Sequence, residues 1–249
     1  MISFSNIGNL GRLGNQMFQY AALCGISKNT KQDYVIPNHH TNLYECFKIP
    51  KKYGDSNLEK ISESSYEFDV ELFDNCPNNV DLIGFFQTEK YFINIKDKIK
   101  KDFTFHDRIS NICSHYRRNN FLNKELISLH VRRTDYLTDK NFCSLSLDYY
   151  YDALELLPNL PVMILTDDYE WCKTKFTSKG FKISKSNNQY IDLCLMTLCD
   201  YHIIANSSFS WWGSWLADSK QTIAPRQWFA GEFSSWNTKD LYLPNWIVI

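Results

Sequence analysis

The chain of 249 residues is marked first by what is missing from it. Its eight cysteines include no Cys-x-x-Cys pair and come with no accompanying histidine pattern. That disfavours a zinc-ribbon site and a disulfide framework, and leaves free, mostly buried thiols as the expectation. No apolar stretch approaches the ~20 residues a spanning helix needs, and no basic-then-apolar leader precedes Ile2. A soluble, cytoplasmic protein with no transmembrane segment is expected. Net charge is only −1, and the basic residues are scattered apart from short clusters such as Lys96 to Lys101. A nucleic-acid partner or a membrane-surface footprint is therefore disfavoured, and the lysine cluster reads as the solvated face of a helix. There is no internal repeat and no low-complexity tract.

What is present is enough for a large core. Hydrophobic residues make up 44% of the chain and aromatic residues 16%, and a chain of this length can bury about three quarters of its unfolded surface. Ile2 to Asn6 reads as a strand, Gln16 to Ser27 as an amphipathic helix and Tyr34 to Pro37 as a short strand. Asn38 to Val80 has no clean period and reads as irregular. Asp81 to Phe86 reads as a strand, with Lys90 to Phe103 and His106 to Asn119 as helices. After Glu125 strands and helices alternate regularly: strands at Glu125 to Val131, Pro161 to Thr166, Phe181 to Ser184, Tyr201 to Ala205 and Gln221 to Ala224, with helices between them. Such alternation implies an α/β fold with a parallel sheet covered on both faces. Its ligands should lie beyond the carboxyl ends of the strands, where His130, Thr166 and Asn206 fall.

His130-Val-Arg-Arg-Thr-Asp-Tyr136 sets two guanidinium groups side by side where a strand becomes a loop. A guanidinium keeps its charge and presents a planar fork of donors that matches phosphoryl oxygens two at a time. Strand alternation puts His130 and Arg132 on one side and Arg133 on the other, making Arg132 the phosphate ligand and Arg133 its buried support. On these residues alone an ion-pair scaffold, closed through Asp135 or Asp139, is as good a reading as an anion site. Two further segments, Gly11-Arg-Leu-Gly-Asn-Gln-Met-Phe-Gln-Tyr20 and Asn206-Ser-Ser-Phe-Ser-Trp-Trp-Gly-Ser-Trp215, have the strand-turn-helix form that leaves backbone amides for an anion.

These segments, together with Gly84-Phe-Phe-Gln-Thr-Glu-Lys-Tyr-Phe92 and Thr166-Asp-Asp168, occur in an order that resembles the alpha-1,2-fucosyltransferases of glycosyltransferase family 11. The resemblance spans most of the chain. It implies a GT-B-like fold: two Rossmann-like lobes with parallel sheets and an interdomain cleft. The lobes are expected at 1–122, on the acceptor side, and 123–249, binding the GDP-sugar. No two aspartates are separated by a single residue, so the Asp-x-Asp metal motif of the alternative glycosyltransferase fold is missing. No metal and no other cofactor is expected. Fixed charge and helix-end amides would then stabilise the leaving diphosphate, from Arg132 and from Ser207, Ser208 and Phe209.

Guanine offers two donors, at N1 and N2, that a single carboxylate can accept. The resemblance puts Asp192 in that role, while spacing alone suits a helix-start carboxylate equally well. His130 either flanks the nucleotide or packs. Asp167 and Asp168 touch the ribose or cap the next helix, with capping preferred for Asp168. Asn15 reaches the sugar or diphosphate by resemblance, and as a bare pattern is a turn residue. Arg12 and Thr134 stand where glycine is usual in the family. Trp211, Trp212 and Trp215 form a helical stripe that reads as core.

The implied reaction is an inverting transfer of L-fucose from GDP-beta-L-fucose to O2 of a terminal galactose on a glycan. Asp135 and Glu89 are both candidates for accepting the proton, and orienting an arginine is an equal reading for Asp135. Two alternatives stand beside it: transfer of another GDP-linked deoxysugar such as colitose or rhamnose, and a degenerate, non-catalytic nucleotide- or glycan-binding module.

Overall fold

The computed structural model describes residues 1–38, 41–54, 58–122 and 124–249. The chain forms two compact units, one of Met1–His106 with Trp236–Leu243, the other of Asp107–Ser235 with Pro244–Ile249. Each is α/β with one parallel sheet.

The first unit contains β1 (Ile2–Ser3), α1 (Leu13–Thr30), β2 (Tyr34–Val35), α2 (Asn42–Cys46), β3 (Glu59–Ser62), α3 (Val70–Asn75), β4 (Val80–Ile83) and α4 (Lys96–Asp102). The sheet runs β2-β1-β4-β3 with every pairing parallel. Chain order reverses between β1 and β4, which makes the loops after these two strands the sides of a crevice at the switch point. Asp81, buried on β4, fixes that junction by accepting the Ser3 hydroxyl at 2.7 Å and the Ser5 amide at 2.7 Å.

Helix α1 is not the amphipathic element its pattern suggested. It is buried on nearly every face from Leu13 to Ser27, with its Phe18 packed on Phe92 and its Tyr20 on Phe103, so its polar positions are interior ones. The stretch read as irregular, Asn38 to Val80, holds α2, β3 and α3, while residues 39, 40 and 55–57 of it lie outside the described residues. β3 is an edge strand of four mostly exposed residues. With no buried face it has no hydrophobic alternation to read.

The second unit contains α5 (Asp107–Phe121), β5 (Ile127–Val131), α6 (Leu147–Glu155), β6 (Val162–Thr166), α7 (Tyr169–Lys175) and β7 (Phe181–Ile183). It continues with α8 (Gln189–Thr197), β8 (Tyr201–Ile203), α9 (Ser208–Ala217), β9 (Gln221–Ala224) and β10 (Ile247–Val248). Its sheet runs β10-β9-β8-β5-β6-β7, again parallel throughout. All five residues of β5 are buried, as a central strand covered on both faces requires. Chain order reverses between β5 and β8, so the switch-point crevice lies where β5 runs into the arginine pair and β8 into Asn206 and Ser207.

Trp211, Trp212 and Trp215 are at most 3% exposed and pack against one another as core. All eight cysteines are free thiols, and all but the half-buried Cys143 are buried. Among the described residues no helix is long and apolar enough to cross a membrane.

Candidate functional site

In the second unit, the loop after β5 is built around one carboxylate. Asp167, at the end of β6, accepts the Arg133 amide at 2.9 Å, the Thr134 amide at 3.3 Å and the Thr134 hydroxyl at 2.6 Å. It also pairs with Arg132 Nη1 at 3.0 Å. Burial would raise this carboxyl, but the Thr134 hydroxyl, the Arg132 cation and the Arg133 amide outweigh it and hold the group below its usual range. Thr134 thus uses its side chain to close the turn.

Arg132 is mostly buried and carries two ion pairs, the one with Asp167 and one from Nη2 to Asp135 Oδ2 at 2.5 Å. Asp135 is the more exposed partner, with 41% of its side chain accessible. Arg133 turns the other way. Its Nε bonds Asp168 at 3.2 Å, Nη1 reaches the Ser144 hydroxyl at 3.2 Å, and the guanidinium lies 4.1 Å over the Trp171 ring. Asp168 also caps α7 by accepting the Trp171 amide at 3.1 Å.

His130 is 5% exposed, and its ring lies 5.6 Å from that of Phe209 in the first turn of α9. Desolvation, helped by the Arg132 charge, pushes its pKa down to about 3, so the imidazole is neutral at physiological pH. Its Nδ1 is buried with no hydrogen-bond partner. Ser207 is the N-cap of α9, and its hydroxyl accepts the Phe209 amide at 3.3 Å. The Ser207 amide itself donates to Ala205 at 2.7 Å. The Ser207 and Phe209 amides, both assigned to an anion, therefore already have partners within the chain. A residue that pattern reading passed over, Tyr136, ties the two loops together by donating its hydroxyl to the Asn206 carbonyl at 3.1 Å.

Asp192 belongs to a separate cluster past the end of β7. Its Oδ1 accepts the hydroxyls of Ser184 at 3.0 Å and Ser186 at 2.6 Å. Burial raises its pKa against the lowering effect of those hydroxyls. β7 is two strands from β5 in the sheet, about 10 Å away at ordinary strand spacing. Among the described residues no group of three or more His, Cys, Asp or Glu is placed to hold a metal ion.

Asn15 and Glu89 belong to the first unit. Asn15 is in the first turn of α1, after a bend in which Gly11 has φ +84°. A Cβ at Gly11 would stand 2.3 Å from Asn15 Nδ2, so the bend is closed around the amide side chain. Asn15 Oδ1 accepts Gln87 Nε2 at 3.0 Å, joining the loop after β1 to the loop after β4. Glu89 is half-buried at the start of a 3-10 turn, Glu89–Tyr91, in the second of these loops.

A profile of the family described as Glycosyl transferase family 11 matches residues 3–249. An alpha-1,2-colitosyltransferase of Escherichia coli is 32% identical, over 89% of this chain and 91% of that one. A galactoside 2-alpha-L-fucosyltransferase, SEC1 of Bos taurus, is 23% identical over 96% of this chain and 72% of its own length. Among solved structures, the fucosyltransferase NodZ from Bradyrhizobium superposes with a TM-score of 0.58 at 12% identity, covering 85% of this chain and 91% of that one. NodZ has also been crystallised with GDP. Its two-lobed GT-B architecture is the fold seen here as two α/β units with parallel sheets.

Proposed function

The chain belongs to glycosyl transferase family 11, and from that membership we propose that it is an inverting alpha-1,2-fucosyltransferase that uses GDP-beta-L-fucose and a galactose-terminated glycan. The observation that carries the reading is the switch point of the second unit. There the Arg132 cation, the unpartnered Nδ1 of His130 and the start of α9 are gathered at the carboxyl ends of β5 and β8. An unmet buried polar atom costs on the order of 1–3 kcal/mol, a cost that a ligand contact removes.

In this reading the acceptor O2 attacks the anomeric carbon while the bond to the diphosphate breaks, and the configuration inverts. Negative charge gathering on the diphosphate meets Arg132 and the positive end of α9. Asp167 and Asp135 aim the guanidinium, and Arg133, tied to Asp168 and stacked on Trp171, keeps the loop rigid. His130, being uncharged, offers a hydrogen bond rather than charge. Asp192 accepts the guanine N1 and N2 donors, from the cluster past the end of β7. Asn15 meets the sugar. Removal of the acceptor proton falls to Asp135 or Glu89, directly or through a water. The reaction proceeds without a metal.

One observation favours a second donor: the relative at 32% identity is a colitosyltransferase. Colitose is fucose without its 3-hydroxyl, so the two donors differ at one hydrogen-bonding position. Product analysis with GDP-fucose and GDP-colitose against a panel of galactose-terminated oligosaccharides tests both readings. An alpha-1,2-linked fucosyl product is expected, a colitosyl product alone selects the second donor, and no transfer from either overturns the proposal.

A further inference from the structure

The loop after β4 is bent in a way its own residues do not favour. Gly84 has φ +151° and Phe86 φ +53°, the latter a left-handed conformation for an aromatic residue, which persists only where neighbours impose it. The neighbour is Glu63, at the end of β3. Its Oε1 accepts the Phe85 amide at 2.6 Å, and the Phe86 amide lies 3.2 Å from Oε1 and 3.1 Å from Oε2. A Cβ at Gly84 would come within 2.5 Å of Oε1, so the carboxylate seats itself only against glycine. Phe86 is fully buried, edge-on to Phe4 and Tyr91. The bend delivers the next residue, Gln87, which donates to Asn15 at 3.0 Å and accepts the Tyr66 hydroxyl at 2.5 Å, and the Tyr66 ring stacks on Trp236.

We propose that Glu63 is a positioning residue for the transfer reaction, its carboxylate holding the 84–86 bend so that Gln87 sets the orientation of Asn15. The inference rests on Asn15 meeting the sugar, as read above. A carboxylate can hold both amides, whereas a protonated carboxyl turns one oxygen into a donor and loosens the bend. Burial raises the Glu63 carboxyl to about 7, against the lowering by the Phe85 and Phe86 amides, with Asp69 adding to the rise. The titratable groups facing it are Asp69 and Tyr91, and Tyr91 also faces Asp240, which is paired with Lys90 at 2.6 Å. Burial would raise Asp69, but the Leu72 amide and the Ser64 groups hold it low, and burial pushes Tyr91 high. Near neutral pH this leaves Glu63 as the group among them that titrates.

The test uses the full chain with GDP-fucose, or GDP-colitose if that is the donor it accepts, and a galactose-terminated acceptor. Glu63→Ala is expected to lower kcat by about 30-fold or more, with donor KM changed less than about threefold. Glu63→Gln, which like the protonated carboxyl keeps one acceptor oxygen for the amides, is expected to fall between Glu63→Ala and wild type at neutral pH. Wild-type kcat is expected to fall as pH drops through about 7, and Glu63→Gln to lack that limb. Wild-type kcat in Glu63→Ala, at a temperature where it is folded, overturns the inference, as does an unchanged acid limb in Glu63→Gln if the alanine variant does not fold. Impaired Asn15→Ala beside unimpaired Glu63→Ala overturns this inference alone. Wild-type turnover in Asn15→Ala overturns the role of Asn15 as well.

Discussion

Replacing Asp167 by Asn separates the carboxylate's charge from its shape. The variant keeps one carbonyl oxygen for the Arg133 amide, now 2.9 Å from Oδ1. At the other position an amide nitrogen would face Arg132 Nη1 at 3.0 Å and the Thr134 amide at 3.3 Å, and it can accept from neither. The Thr134 hydroxyl, at 2.6 Å, can rotate and accept instead. Arg132 keeps Asp135, so the guanidinium is not left wholly unpaired. Loss of one charge-assisted bond and one backbone acceptor in a partly buried setting should cost about 2–3 kcal/mol. For a chain of this size that is a fall in Tm of roughly 4–12 °C, read by circular dichroism at pH 7. Because the native carboxyl is held low, its contribution is present above the ordinary carboxylate range and disappears as pH falls through the folded value. The gap between wild type and Asp167→Asn should therefore close in acid. A Tm within about 1 °C of wild type at pH 7, or a gap that widens in acid, would refute the view of Asp167 as the organiser of the loop.

Arg132→Ala should lower turnover by about 10²–10³-fold and weaken GDP binding in calorimetry, with Arg132→Lys intermediate because it lacks the fork. Asp192→Ala should erode the preference for GDP over UDP in competition binding, and undiminished selectivity would remove Asp192 from guanine recognition. Gly11→Ala, with φ +84° and a Cβ 2.3 Å from Asn15 Nδ2, should lower stability by about 1–2 kcal/mol and turnover with it. Glu63 is raised in the fold, so its stabilising effect is complete in acid and lost as pH rises through about 7. Relative to Glu63→Gln, wild type should lose up to about 3 kcal/mol between the ordinary glutamate range and pH 8 in denaturant titrations. Activity should persist in excess EDTA, and a strict manganese requirement would contradict the metal-free reading.

Much of the second unit was legible because its strands are central and its helices cross between them. β6 is a continuous apolar run and β5 and β8 are largely buried, each followed by a polar motif, and the period changes cleanly on either side. β10 escaped notice because two residues carry no periodicity and it pairs with β9 only at the sheet edge. In the first unit the strands have two to four residues, and the long helix is buried all round. Their assignment depends on tertiary partners rather than local pattern. The same limit applies to the site. The residues of the paired-Arg motif announced themselves, whereas Glu63 sits in a stretch without a period. Its importance comes from two amides 22 and 23 residues away in sequence.

The two arginines of the β5 loop are matched against three carboxylates, Asp135, Asp167 and Asp168, beside a histidine that carries no charge. On the proposed reading, in which Arg132 receives the diphosphate, the loop is anionic overall beforehand, and an incoming nucleotide meets repulsion as well as a guanidinium. Entry is easiest if Asp135, the most solvent-exposed of the three, swings outward and cedes its place on Arg132. Donor capture then becomes an exchange of one anion for another. Neutralising that gatekeeper by Asp135→Asn should tighten GDP while making its affinity less sensitive to salt.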